Sequence, residues 1–186
     1  MFNTIPDNGL WGTIAGLLND NYTTMQAKIN DTNGFGFYID DTSQSFSDGV
    51  VQTVTCNKSF ANESLPSTTT TFYDSATSKF TPDQAGGLYG YNVTFDAVAA
   101  TRDKLVQVVF VSPDAIAPGV DLVLARRTIR LVKDAGIVNH IGMYSATALS
   151  PTMLSHGVQV TLEFEGTAAT VTNVNLQLLK LNAPII

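Results

Sequence analysis

Hydrophobic and polar positions alternate along most of the chain after the segment NDTNGFGF (30–37), which we interpret as a break containing an Asn33-Gly34 turn. In LYGYNVTF (88–95) a large aromatic or branched residue occupies every second position, as in a strand with one buried face. Seven further runs alternate or are apolar and are separated by polar turns: GVVQTVTC, TTTTFYD, LVQVVFVS, DLVLARRTIRLV, IVNHIGMYSATAL, GVQVTLEFEG and NVNLQLLKL. Strands do not alternate with helices, so the pattern predicts an all-β sandwich or barrel of about eight strands.

A helical pattern is confined to the first 30 residues. After an extended arm, MFNTIPDNG, apolar residues recur every seven positions in two series offset by four: Trp11, Leu18 and Met25, then Ala15, Tyr22 and Ile29. This heptad seam predicts a helix over residues 10–30. Gly12 and Gly16 weaken that helix, and an isolated helix of this length is marginal in water. It therefore needs a partner: it packs on its own domain, or it packs on its symmetry mates or docks on a larger surface.

Composition narrows the functional classes. Charged residues make up only 14% of the 186 residues, against about 25% in ordinary domains, as expected of an all-β or assembled protein. A net charge of −6 argues against a nucleic-acid partner. The single cysteine, Cys56, excludes an intramolecular disulfide and a cysteine-based zinc site. With no signal peptide and no apolar run near the ~20 residues of a membrane span, we expect a cytoplasmically made protein without a membrane partner.

Residue types that carry catalysis are sparse. His140 and His156 each stand alone in the sequence, without a second ligand at metal-binding spacing. Glu163 and Glu165 share one strand face, an arrangement more typical of a solvated face than of a catalytic carboxylate pair. We expect no catalytic, cofactor or metal site, and therefore a protein that is not an enzyme.

A basic cluster interrupts the otherwise weakly charged strands. Arg126 and Arg130 are predicted on one side of a strand, and Arg127 and Lys133 on the other, so they do not form a single basic face. Two interpretations stay open: ion pairs between subunits, with Asp121 or Asp134 as examples of partners, and a solvated strand end.

The segment FYDSATSKFTPDQAGGLYGYNVTFDA resembles the central signature of the globular-head family shared by complement-type and tumour-necrosis-factor-like proteins. The matching residues are Tyr73-Asp74, Lys79-Phe80-Thr81-Pro82 and Gly87-Leu88-Tyr89, followed by an aromatic alternating strand. HGVQVTLEF and NVNLQLLKL match the family's later strands more weakly, and the resemblance covers roughly residues 40–182. It implies a jelly roll of which three copies associate through aromatic and apolar strand faces. Tyr89, Tyr91 and Phe95 are then candidates for the core or the trimer interface.

The segment NTIPDNGLWGTIAGLLNDNYTTMQ resembles the N-termini of tailed-phage virion proteins, in which such a step begins a short helix attached to the particle. It implies an anchor and trimer seam over residues 1–33 and a jelly-roll head over 34–186. Phe2, Ile5, Trp11 and Leu18 become anchor candidates, and Tyr22, Met25 and Ile29 trimer-seam candidates.

Together the resemblances imply a virion surface protein assembled in a bacterial cytoplasm. It would be a homotrimer bound to the major capsid protein or another virion protein, acting as a capsid decoration or cement protein or a head fibre. One alternative is a tail-fibre or receptor-binding tip that recognises a host glycan or protein. A second is a carbohydrate-binding jelly-roll module, against which the single Trp counts.

Overall fold

The computed structural model describes residues 16–23, 34–66, 69–132 and 134–182. The candidates Phe2, Ile5, Trp11, Met25 and Ile29 lie outside these residues. Residues 16–23 form a helix, α1, within the range predicted to be helical, and every residue in it is exposed. Leu18 and Tyr22, which belong to different series of the predicted seam, are 52% and 50% exposed. The partner that would cover this helix therefore stays a prediction.

Two antiparallel sheets face each other around one core. The larger sheet has the strand order β10-β7-β12-β1-β4, with β2 also paired to β12. Its strands are β1 (Gly34–Asp40), β2 (Gln44–Phe46), β4 (Phe60–Ser64), β7 (Leu88–Ala99), β10 (Val138–Ala148) and β12 (Ala169–Asn182). The smaller sheet has the order β3-β11-β8-β9. Its strands are β3 (Gln52–Thr53), β8 (Lys104–Ala117), β9 (Val120–Leu131) and β11 (Gln159–Glu165).

The chain crosses repeatedly between the sheets, from β7 to β8, β9 to β10, β10 to β11 and β11 to β12. Two packed antiparallel sheets with such connections form a jelly roll, so the predicted fold class is confirmed. A small hairpin of β5 (Tyr73–Asp74) and β6 (Lys79–Phe80) lies outside both sheets. The helix α2 (Pro151–His156) follows β10 and is capped by the Ser150 side chain, which accepts the Met153 N–H.

A series of aromatic rings in tilted and edge-to-face contact runs through the core between the sheets. Consecutive ring centroids from Tyr38 to Tyr73, Phe80, Tyr91 and Phe110 lie 5.3, 5.6, 5.4 and 5.9 Å apart, within the range of favourable aromatic contacts. All five side chains are at most 1% exposed. The hairpin β5–β6 and both sheets are therefore joined by one aromatic core.

The alternating positions of β7 point into this core. Tyr89 and Tyr91 are fully buried and Phe95 is 2% exposed. These three residues were predicted to lie either in the core or at a trimer interface, and in the structure they lie in the core. The aromatics of the LYGYNVTF segment thus hold the two sheets together.

The segment predicted as a break overlaps strand β1, which begins at Gly34, so this part of the prediction was wrong. In β1, Gly36, Tyr38 and Asp40 point inward, while the residues between them point outward. A Cβ atom on Gly36 would lie 2.3 Å from the Tyr38 hydroxyl oxygen, so glycine there makes room for the tyrosine ring. Conversely, GVVQTVTC and TTTTFYD contribute only the two-residue strands β3 and β5.

Candidate interaction face

The outward face of the larger sheet carries an unusual amount of apolar surface. Strand register places Phe35 beside Leu179, and Phe60 opposite Ile39. Phe37 packs edge-on against Phe60 with ring centroids 6.2 Å apart. Together with Tyr144 on β10, these side chains define what we call the aromatic face: Phe35, Phe37, Ile39, Phe60, Tyr144 and Leu179. Phe60 and Tyr144 are more than half exposed.

Small and polar residues shape the middle of this face. Gly90 lies beneath Tyr144, since a Cβ atom there would be 2.7 Å from the Tyr144 hydroxyl oxygen. Between the aromatic columns, Asn92 Nδ2 donates to Gln177 Oε1 at 3.3 Å. Aromatic side chains beside a strip of amides are typical of a protein contact surface, and a solitary soluble domain seldom exposes such a patch.

A polar cluster borders the aromatic face. Asp96 on β7 accepts hydrogen bonds from Asn173 Nδ2, at 2.7 Å, and contacts His140 Nδ1 on β10. The Asn173 hydrogen bond holds the pKa of Asp96 below its ordinary value, burial opposes this shift, and His140 adds to it. His140 stands alone in the sequence, but the pairing of β10 with β7 brings Asp96 next to it. His156 is the last residue of α2. Cys56 is buried elsewhere in the core, and this burial raises the pKa of its thiol.

The arginines of β9 lie on two sides of the smaller sheet, as their spacing predicts. Arg126 and Arg130 lie opposite the outward residues Val109 and Leu105, whereas Arg127 lies opposite the buried Val108. Arg127 Nη1 donates to the Gly142 carbonyl on β10 at 3.2 Å, so it spans the edges of both sheets.

Within the chain, Arg130 pairs with Asp103 at 3.3 Å, and Asp134 instead pairs with Arg102 at 3.0 Å. Arg126 lines a shallow cleft with Asp121 and Glu163. Ion pairs between subunits through these arginines stay a prediction.

A second polar network closes the hairpin end of the sandwich. One oxygen of Glu63 accepts hydrogen bonds from the Tyr38 hydroxyl, the Thr71 hydroxyl and the Phe72 N–H. Burial alone would raise the pKa of Glu63, but these three donors outweigh it and hold the pKa below its ordinary value. Sequence reasoning missed this carboxylate because its donors, Tyr38 and the adjacent Thr71 and Phe72, come from two segments that are distant in the sequence.

Among residues 16–23, 34–66, 69–132 and 134–182, no group of three or more His, Cys, Asp or Glu side chains is placed to hold a metal ion. None of the helices in that part of the chain is long and apolar enough to cross a membrane. The feature with the clearest physical implication is the aromatic face, whose composition suits contact with another protein surface.

Comparisons with known proteins bear on the fold. No protein-family model matches the chain. No curated protein matches its sequence. Among solved structures, Eiger TNF from S. frugiperda is 13% identical over 82% of this chain and 94% of its own, with a TM-score of 0.51. Murine APRIL is 14% identical over 80% of this chain and 99% of its own, with a TM-score of 0.50.

PRD1 vertex protein P5 is 11% identical over 81% of this chain and 74% of its own, with a TM-score of 0.49. At these identities, likeness shows the fold alone. The chain therefore has a tumour-necrosis-factor-like jelly-roll fold, as the sequence resemblance implies.

Proposed function

We propose that this chain is a non-enzymatic structural protein on the surface of a bacteriophage virion, where it forms a homotrimer that decorates or cements the capsid or forms a head fibre. The observation that carries the proposal is the aromatic face on a jelly roll of this fold. The N-terminal resemblance to tailed-phage virion proteins supports the particle as its location.

Two separate apolar patches favour a closed ring of subunits. Besides the aromatic face, Val132, Ile137 and Val138 are exposed where the chain passes from β9 to β10. When two different patches of one protomer meet, the interface is heterologous, and such interfaces close into rings if the rotation allows it. The family resemblance supports three copies in this ring.

The oligomeric state is tested by sedimentation of the purified protein. We expect a species of about 60 kDa, three times the 19.9 kDa protomer. Tyr144→Asp would place a charge on the aromatic face and should release folded monomers. Ile116→Asp, at the exposed end of β8, is the matched control and should remain trimeric. Folded wild-type monomers at micromolar concentration would refute the trimer.

Attachment to the particle is assigned to residues 1–30. Three anchors on one axis multiply a weak affinity through effective concentration. Deleting residues 1–30 should leave a folded head that no longer binds capsids stripped of this protein, and Trp11→Ala should weaken binding by intact trimers. Normal occupancy by the truncated head would place attachment on the jelly roll instead.

One observation favours a receptor-binding role as the second candidate. The β8–β9 hairpin ends in an apolar tip in which Ile116 and Val120 are 63% and 47% exposed. The tip is held by side chains, since Asp114 accepts the Gly119 N–H at 2.6 Å and Asp121 accepts the Asp114 N–H at 3.0 Å. A pre-organised apolar tip loses little entropy on binding. Ile116→Ser should then reduce adsorption to host cells while leaving capsid occupancy unchanged.

The non-enzymatic part of the proposal has its own test. Replacing His140, His156 or Cys56 with alanine should leave capsid binding and infectivity close to wild type in every variant that folds. A folded His140→Ala trimer with normal occupancy but lost infectivity would indicate chemistry at the Asp96 cluster.

A further inference from the structure

Three polar side chains meet in the interior at one end of the larger sheet. Lys180 on β12 is paired directly with Tyr89 on β7, and Asp83 lies in the segment before β7. Lys180 Nζ donates to Asp83 Oδ2 at 2.8 Å, and the Tyr89 hydroxyl donates to Asp83 Oδ1 at 2.5 Å. The Lys180 and Asp83 side chains are 1% and 8% exposed, and Tyr89 is fully buried.

An amine and a carboxyl held together in this way can react. Burying an ion pair carries a desolvation cost that the attraction between the charges offsets only in part. Condensation to an amide would remove both charges and release one water molecule from a site that is already dry. The Lys180 amine nitrogen is within hydrogen-bonding distance of one Asp83 carboxyl oxygen, and the carboxyl carbon is bonded to that oxygen. The nitrogen is therefore close to the carbon that it would attack, as reacting atoms in productive complexes lie about 3–3.5 Å apart.

We propose that Lys180 and Asp83 form an intramolecular isopeptide bond. A proton passes from Nζ to the carboxylate within their hydrogen bond, which leaves a neutral amine and a neutral acid. The Nζ lone pair attacks Cγ, a C–O bond breaks, and the oxygen departs with two protons as water. The ammonium and carboxylate thus become one secondary amide and one water, with no oxidant, reductant or activating group consumed.

Tyr89 supplies the hydrogen bond that this step needs. Its hydroxyl oxygen accepts the Gln84 N–H at 3.0 Å, which directs its own proton to Asp83 Oδ1. Burial, followed by the Asp83 interaction, raises the pKa of Tyr89, so the hydroxyl stays protonated at neutral pH. A fixed donor on the carboxyl oxygen polarises the carbonyl and stabilises the charge that develops on that oxygen during attack.

The bond would fasten the last described strand to the segment that leads into β7. It would close a covalent loop between positions 83 and 180 in a chain whose lone cysteine permits no internal disulfide. Cross-links that close long loops restrict the unfolded chain strongly. Unlike a disulfide, an amide is insensitive to the reducing conditions of a cytoplasm.

Intact-mass spectrometry of the folded protein tests the proposal without any variant. We expect a mass about 18 Da below that of the sequence, the loss of one water. Trypsin does not cut after an amidated lysine, so digestion should give residues 80–102 joined to residues 134–186, and fragmentation should place the junction at Asp83 and Lys180. The measurement is independent of oligomeric state and of the particle, so its failure would not affect the proposed function.

Two variants serve as matched controls. Lys180→Arg keeps the buried cation but lacks a nucleophilic amine, and it should show the full sequence mass. Tyr89→Phe keeps the ring and should accumulate the amide about tenfold more slowly or worse. Full sequence mass in wild-type protein after prolonged incubation at 37 °C would show a buried ion pair only and overturn the proposal. An equal mass loss in Lys180→Arg would do the same.

Discussion

Replacing Tyr91 with alanine removes a ring that lies between the two sheets, with centroids 5.4 Å from Phe80 and 5.9 Å from Phe110. Truncating a buried aromatic residue typically costs 3–5 kcal/mol, and each aromatic contact contributes about 0.5–1.5 kcal/mol within such a loss. Because this ring is fully buried and has two aromatic neighbours, we expect a loss of about 4 kcal/mol in the free energy of unfolding. Because most domains are only marginally stable, this loss would remove a large part of the free energy of unfolding.

The Tyr91 hydroxyl should behave in the opposite way. It is buried and has no hydrogen-bond partner in the part of the chain that the structure describes. An unpaired buried hydroxyl costs about 1–3 kcal/mol, so Tyr91→Phe should be neutral or stabilising by up to about 1 kcal/mol. Urea unfolding at one fixed protein concentration measures both variants, and equal m-values would show that the unfolded states are comparable. A loss below about 1 kcal/mol for Tyr91→Ala, or above about 1 kcal/mol for Tyr91→Phe, would refute this account of the core.

Three further predictions concern the same sandwich. Phe95→Ala should cost about 3–5 kcal/mol in urea unfolding, whereas Thr94→Ala on the outward face should cost less than about 1 kcal/mol; similar losses would mean that the register is wrong. The pKa of Glu63 is held below its ordinary 4.5, so its stabilisation is complete above that pH and is lost as the pH falls through the folded-state pKa. Glu63→Gln should flatten this part of the stability–pH curve, and an unchanged acid slope would contradict the assignment. Gly157→Ala should lower the melting temperature clearly, because φ is +70° and a Cβ atom would lie 2.7 Å from the Phe80 carbonyl oxygen; an unchanged melting temperature would show that the turn relaxes.

The fold class was accessible to sequence reasoning because burial on one face imposes a period of two. In β7 the large side chains must point inward, and the sequence shows this directly. The same reasoning failed at β1, where Gly34 and Gly36 are typical of a turn. There Gly36 makes room for Tyr38 in the same strand, and Gly34 makes room for Phe72 from a distant segment. The Phe72 packing is a tertiary property, and no local pattern contains it.

The interaction face was missed for the same reason. Phe35 and Phe37 lie in the segment that was interpreted as a break, and Ile39 and Phe60 lie in no predicted strand. Four of the six residues of the aromatic face were therefore never placed on a sheet. Contacts between side chains on neighbouring strands are even harder to predict from the sequence, because they depend on how the two strands are aligned. Asp96 meets His140 and Asp83 meets Lys180 only once β7 is aligned with β10 and the Asp83 segment with β12.

The position of β12 has a consequence for how the protein is made. This strand lies between β7 and β1 in the larger sheet, and Gly34 pairs with Lys180. A ribosome therefore releases β1 and β7 long before the strand that joins them, and both emerge with unpaired edges. β1 can pair early with β4, but the larger sheet cannot be completed until β12 has been made, and such non-local sheets fold slowly. Translation that stops between β7 and β12 should yield chains that aggregate or occupy chaperones, so the yield of this protein depends on finishing synthesis quickly.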